Sequence, residues 1–172
     1  MMEKLSYQFD VETLLTECNF LIDTHGLESE KNQLSLKHTD TASGNLWHFG
    51  LGSFRTEKAL SNLSQKDFTV LNQELKNTYI EKVYNIISND YQIGRCRIMA
   101  LPGQKCMTLH YDATQRIHIP LLTNENCLMI IGDRVYHMPA DGSAYFTDTF
   151  KRHTALNANW DFLRLHLVFD LL

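Results

Sequence analysis

Apolar positions follow two different periods along the chain. Asp10 is placed to cap a helix starting at Val11, and Leu14, Leu15, Cys18, Leu21 and Ile22 recur at helical spacing until Gly26 stops it. The same period in Val70, Leu71, Leu75, Tyr79, Val83, Ile86 and Ile87 predicts a second helix, begun by Ser64 or Asp67 and closed at Asn89. Between them Gln33-Leu34-Ser35-Leu36-Lys37-His38 alternates like a strand, followed by a segment rich in Gly and Thr, 39–52, that contains Trp47 and His48. From Gly94 onward, short runs of Ile, Leu, Val, Tyr and Phe are punctuated by Pro102-Gly103, Thr123-Asn124, Gly132-Asp133, Asp141-Gly142 and Asn157-Ala158-Asn159. Strands are expected near 94–101, 105–111, 116–122, 127–131, 134–138, 143–147, 153–157 and 162–169. Short strands with turn signals between them describe an antiparallel sandwich or barrel, and eight of them fit a double-stranded β-helix, the jelly-roll barrel of cupins. The predicted architecture is therefore mainly β with N-terminal helices on the outer face of one sheet. It is expected as a single domain, 1–172, with 1–90 as helical support and 91–172 as the core β-helix.

Composition narrows the partners. The 172 residues, 44% hydrophobic and 21% charged, suit a soluble globular domain that buries a core without staples. The net charge of −4 comes from 16 basic and 20 acidic residues spread along the chain, with no basic cluster, so no nucleic acid partner is expected. No apolar run reaches the roughly 20 residues of a membrane span, and Met1–Asp10 lacks the charged start and apolar stretch of a secretory signal. Cys18, Cys96, Cys106 and Cys127 are widely spaced and read as reduced, mostly buried thiols. A cytoplasmic protein with neither membrane nor nucleic acid partner is the expectation; the oligomeric state is not legible.

The chemistry gathers around Leu109-His110-Tyr111-Asp112, with His153 following 41 residues after Asp112. On a strand, residues two apart share a face, which would send His110 and Asp112 together into a barrel mouth. The intervening length is enough to return His153 on a neighbouring strand. Two imidazoles and a carboxylate on one side of a metal are the arrangement of non-haem iron(II) oxygenases. A His-x-Asp pair by itself is equally a surface or hydrogen-bonded strand feature, so the downstream residues matter. In Phe162-Leu163-Arg164-Leu165-His166-Leu167, Arg164 and His166 share the face opposite Leu163, Leu165 and Leu167. A guanidinium directed into a barrel is costly unless it meets an anion, and its fork matches the distal carboxylate of 2-oxoglutarate; pairing with a protein carboxylate is the alternative. Arg116 and His118 form a second same-face pair, suited to the other end of that co-substrate or to a rim salt bridge.

Taken in order, Leu101-Pro102-Gly103, His110-x-Asp112, Arg116-x-His118-Ile119-Pro120-Leu121, Gly142, Asp148, His153-x-Ala155-x-Asn157 and Arg164-x-His166-Leu167 resemble the aspartyl/asparaginyl β-hydroxylase family. That family belongs to the iron(II)/2-oxoglutarate dioxygenases and includes relatives acting on free proline. The resemblance spans about residues 94–170. It implies that His110 and His153 bind iron, that Arg164 salt-bridges the distal carboxylate of 2-oxoglutarate, and that Arg116 and His118 contact its metal-side end. It also implies oxygen as the other co-substrate, succinate and carbon dioxide as products, and hydroxylation of a small-molecule or peptide substrate. Members that hydroxylate peptides lack a carboxylate ligand; Asp112 moves this chain toward the proline-hydroxylase-like branch. Two rivals stay open: a metal-dependent cupin of another class, and a non-catalytic ligand-binding barrel.

Other features have plainer readings. Residues 39–52, with Gly44, Gly50 and Gly52, suit either a mobile lid or a surface excursion with Trp47 packed on the barrel. His25, His38 and His137 read as structural. Asp148 and Asn157 either orient a ligand or shape turns.

Overall fold

The computed structural model describes residues 1–54 and 57–172. Helix α1 (Val11–His25) forms as its pattern dictates. The Asp10 side chain accepts from the Thr13 backbone N–H, and Gly26, at φ 71°, returns its own N–H to the Ile22 carbonyl. Helix α2 (Tyr79–Ser88) is shorter than predicted: it starts at a Thr78 cap that accepts from Glu81 N, not at Ser64 or Asp67. The residues before it are used otherwise. Phe68 is buried, Val70–Leu71 form a short strand, and Asn77 takes φ 64°, which breaks any continuous helix.

The strands in chain order are β1 (Met2–Gln8), β2 (Gln33–Ser35), β3 (Lys37–His38), β4 (Val70–Leu71), β5 (Ile93–Leu101), β6 (Lys105–Cys106), β7 (Arg116–Leu122), β8 (Cys127–Ile131), β9 (Arg134–His137), β10 (Ser143–Thr147), β11 (His153–Asn157) and β12 (Arg164–Leu171). They build a major antiparallel sheet in the order β1-β10-β7-β12-β5-β2 and a minor one in the order β6-β11-β8-β9, with β3 and β4 paired separately. The first ninety residues thus supply both edge strands of the major sheet as well as the helices, and β1 carries no pattern that announces it. The strand expected at 105–111 is ladder only at Lys105–Cys106, with a single further bridge at His110.

The main core lies outside the space between the sheets. Leu14, Cys18 and Leu21 of α1 and Ile80, Val83 and Ile87 of α2 pack on Ile98, Ile117, Ile119, Leu167 and Phe169, all from one face of the major sheet. The helices therefore cover the outer face, as the pattern predicts. A second, small cluster of Met129, Ile131, Met138 and Tyr145 sits apart from this core. All four cysteines are free; Cys18, Cys96 and Cys127 are buried and Cys106 is exposed. Burial pushes the Cys96 thiol up to about 12, so it is inert. No helix among the described residues is long and apolar enough to cross a membrane.

Candidate metal centre

His110 and His153 meet through an isolated antiparallel bridge. His110 N donates to the His153 carbonyl at 3.0 Å and His153 N donates back at 2.7 Å, bringing the two rings to 4.4 Å between centroids. His153 opens β11 in the minor sheet, but His110 belongs to no regular strand. The convergence with Asp112 therefore does not come from strand alternation. Asp112 N donates to the Thr149 carbonyl, and the carboxylate turns back to lie 3.2 Å from His153 Nε2 and 3.7 Å from His110 Nε2. One ligand atom from each of the three lies within 4.8 Å of the others.

The surroundings set the chemical state of these groups. His110 Nδ1 lies 2.6 Å from the Thr108 carbonyl and His153 Nδ1 lies 2.9 Å from the Lys151 carbonyl. A ring nitrogen against a carbonyl carries a proton, which fixes each ring with its Nε2 turned toward Asp112. His153 Nε2 and Asp112 Oδ2 are both buried, and they face each other at 3.2 Å. Burial alone would raise the Asp112 pKa, but His153 and the Arg116 guanidinium hold it below the usual carboxylate range. An anionic carboxylate and two imidazoles whose Nε2 atoms converge on it are the donor set a first-row divalent metal takes, any Nε2 proton leaving as the metal binds.

The residues present fit an iron(II) ion. With that geometry in place, similarity to known proteins becomes decisive: the family profile described as Aspartyl/Asparaginyl beta-hydroxylase matches residues 29–172. The chain belongs to the aspartyl/asparaginyl β-hydroxylase family. The cofactor and co-substrates of that family are iron(II), 2-oxoglutarate and oxygen, and the cluster of His110, Asp112 and His153 fits such an iron site. No curated protein matches the chain. Among solved structures, the oxidoreductase of the 2OG-Fe(II) oxygenase family from Burkholderia pseudomallei is 21% identical with a TM-score of 0.43, over 53% of this chain and 55% of that one. The chain thus spans about half the length of that relative. The crystal structure of IDO from Bacillus thuringiensis is 10% identical with a TM-score of 0.52, covering 99% of this chain and 92% of that one, a likeness of fold.

In this β-hydroxylase-family chain the candidate metal centre opens into a cavity between the two sheets, where Arg116, His118, Arg164 and His166 of the major sheet face Met129 and Ala155 of the minor one. Arg164 is buried, and its one recorded side-chain partner among the described residues is His166 Nδ1 at 3.3 Å, with no carboxylate near it. Burial pulls its pKa down to about 10. His118 and His166 are buried, with Nε2 of each unpartnered among the described residues. Burial, and then the nearby Arg164 charge, hold both well below the ordinary histidine range, so both are neutral donors or acceptors facing the cavity.

Arg116 is placed differently from its predicted neighbour His118. Its Nε donates to Asp170 Oδ1 at 2.7 Å and its outer nitrogen pairs with Asp112 Oδ2 at 2.8 Å, so the fork spans two protein carboxylates. Asp170, Arg95 and Arg97 escape a motif search because the matched elements end before Asp170 and begin after Arg97. A period-two signal was nonetheless present: Arg95 and Arg97 alternate with Cys96 and Ile98, and Arg164, His166 and Asp170 share one parity of β12. Trp47 is buried and stacks on His25 at 4.1 Å, while Asn157 ties its strand to the Leu101 and Phe162 carbonyls.

Proposed function

We propose that the chain is an iron(II)/2-oxoglutarate-dependent dioxygenase that hydroxylates a carbon of an amino acid or peptide side chain, releasing succinate and carbon dioxide. The observation that carries this reading is the convergence of His110, Asp112 and His153 beside Arg164, a buried guanidinium with no carboxylate partner among the described residues. Such a group is stable in a barrel only when a ligand anion completes it. A cupin of another class would have Arg164 answered by a protein carboxylate, and a non-catalytic barrel gives no account of two imidazole Nε2 atoms converging on one carboxylate.

His110, Asp112 and His153 hold the metal, which when bound supplies the activation of oxygen that a protein side chain cannot. Arg164 takes the distal carboxylate of 2-oxoglutarate through its fork. His118, neutral and unpartnered at Nε2, contacts the metal-side end, and Arg116 stands at that same end with its fork on Asp112 and Asp170. The fold is assigned as a double-stranded β-helix in which two antiparallel sheets enclose the site. Residues 1–172 act as one dioxygenase domain, 91–172 carrying the metal site and 1–90 supporting it, and four free thiols suit a reducing cytoplasm.

Anaerobic addition of iron(II) and 2-oxoglutarate is expected to give a visible charge-transfer band, lost in His110→Ala. Candidate amino acids and peptides are then screened by mass spectrometry for an added oxygen coupled to succinate release. A protein that binds neither ferrous ion nor 2-oxoglutarate ends this reading.

A further inference from the structure

Each metal-ligating imidazole has its own fixing partner, a backbone carbonyl on Nδ1, and each backbone is held by the bridge between them. Asp112 has neither device. It lies in an irregular stretch between His110 and β7, attached by one backbone hydrogen bond to Thr149, so its carboxylate is placed by what its oxygens touch. Among the described residues, that partner apart from the two imidazoles is Arg116.

Arg116 is in turn aimed from below. It sits directly opposite Asp170 in the β7–β12 register, and the cross-strand pair anchors Nε while the other side of the fork projects to Asp112. Asp170 is fully buried and also accepts from Arg95 Nε at 3.2 Å and Arg97 at 2.5 Å. These two arms lead to other parts of the site. Arg97 donates to Gln33 Oε1 at 3.0 Å, and Gln33 lines the cavity. Arg95 donates to the Gly50 and Gly52 carbonyls at 2.9 and 2.8 Å and lies over the Phe54 ring at 4.2 Å. Three guanidiniums on one carboxylate leave an excess of positive charge, and among the described residues the only other carboxylate paired with any of them is Asp112. The hub and the metal ligand therefore hold each other.

We infer that Asp170 is a positioning residue: through Arg116 it fixes the carboxylate ligand Asp112, and through Arg95 and Arg97 it ties the Gly50–Gly52 loop and the Gln33 wall of the cavity to the same point. The inference rests on the metal assignment above, and its test separates the two. Manganese(II) binding is measured on the full chain without oxygen, alongside amide hydrogen exchange over residues 46–54 and thermal unfolding. Outer partners of metal ligands are typically worth about 10- to 100-fold in affinity, and Asp170→Asn and Arg116→Met are each expected to weaken manganese(II) by that amount. The double variant is expected to be no worse than the weaker-binding single, since both changes cut one connection. Arg95→Met is expected to speed exchange around Gly50 and Gly52 while changing metal affinity less.

Should Asp170→Asn fail to fold, Arg116→Lys decides, because a single ammonium cannot span both carboxylates; a loss of about 10-fold in manganese(II) affinity is expected of it. A folded Asp170→Asn or Arg116→Lys that binds manganese(II) like the unaltered chain overturns the inference, as do additive losses in the double variant. Unaltered protein that binds no metal overturns the metal assignment instead.

Discussion

The two faces of the six-stranded sheet use the same strands for opposite ends. On the outer face Ile98, Ile117, Ile119, Leu167 and Phe169 meet helices α1 and α2 and form the main core. On the inner face the alternate residues of the same strands are Arg97, Arg116, His118, Arg164, His166 and Asp170, all but the partly covered Arg116 buried. The outer face gains stability from every residue it hides. The inner face hides charges and unpaired imidazole nitrogens at a cost that only ligands, or carboxylates such as Asp170, offset. This fold places its core beside the site, so the barrel interior is free to be polar.

Breaking the outer face should have the largest effect on folding. Phe169→Ala is expected to cost about 3–5 kcal/mol in denaturant unfolding, while the remaining folded fraction binds manganese(II) normally; lost metal affinity per folded molecule would mean that the faces are not separable. On the inner face Arg164→Met should act in the opposite sense. Removing an unanswered buried charge is expected to leave the ligand-free protein as stable or more so, with 2-oxoglutarate affinity down by about 100-fold, roughly 2–3 kcal/mol. A drop in melting temperature would show that Arg164 has a protein anion after all.

The inner histidines give a pH signature of the same size or smaller. The folded pKa values of His118 and His166 are depressed, so the unfolded chain takes up protons that the native state refuses. Their contribution is present above the unfolded histidine pKa and is lost as pH falls through it. Two such groups should cost about 2 kcal/mol between pH 7 and 5.5, from the ordinary histidine pKa and proton linkage. His118→Leu/His166→Leu should flatten that slope; an unchanged slope would assign it elsewhere. Smallest of all, Val135→Thr on exposed β9 touches neither face and is expected to stay within about 0.5 kcal/mol.

Legibility followed the same division. Periodicity placed α1 and seven of the eight later strands well, because burial on one face imposes an alternation that composition alone displays. It failed where local pattern and tertiary use part company. The stretch from Ser64 to Asn77 carries helical spacing yet is drawn into the β3–β4 pair and short turns, and β1 joins the sheet edge with a pattern too mixed to read. His110, Asp112 and His153 were legible as a motif, but a bridge and a turn, not strand alternation, bring them together.

The amino-acid order by itself determined which residues could face together along each strand, and it carried the ordered set of family elements that names the chemistry. Only the tertiary structure decided that Arg116 spends its fork on Asp112 and Asp170 while Arg164 meets no carboxylate among the described residues. A charge's partner depends on which strands become neighbours and in what register, and β7 reaches Asp170 only because β12 lies between it and β5.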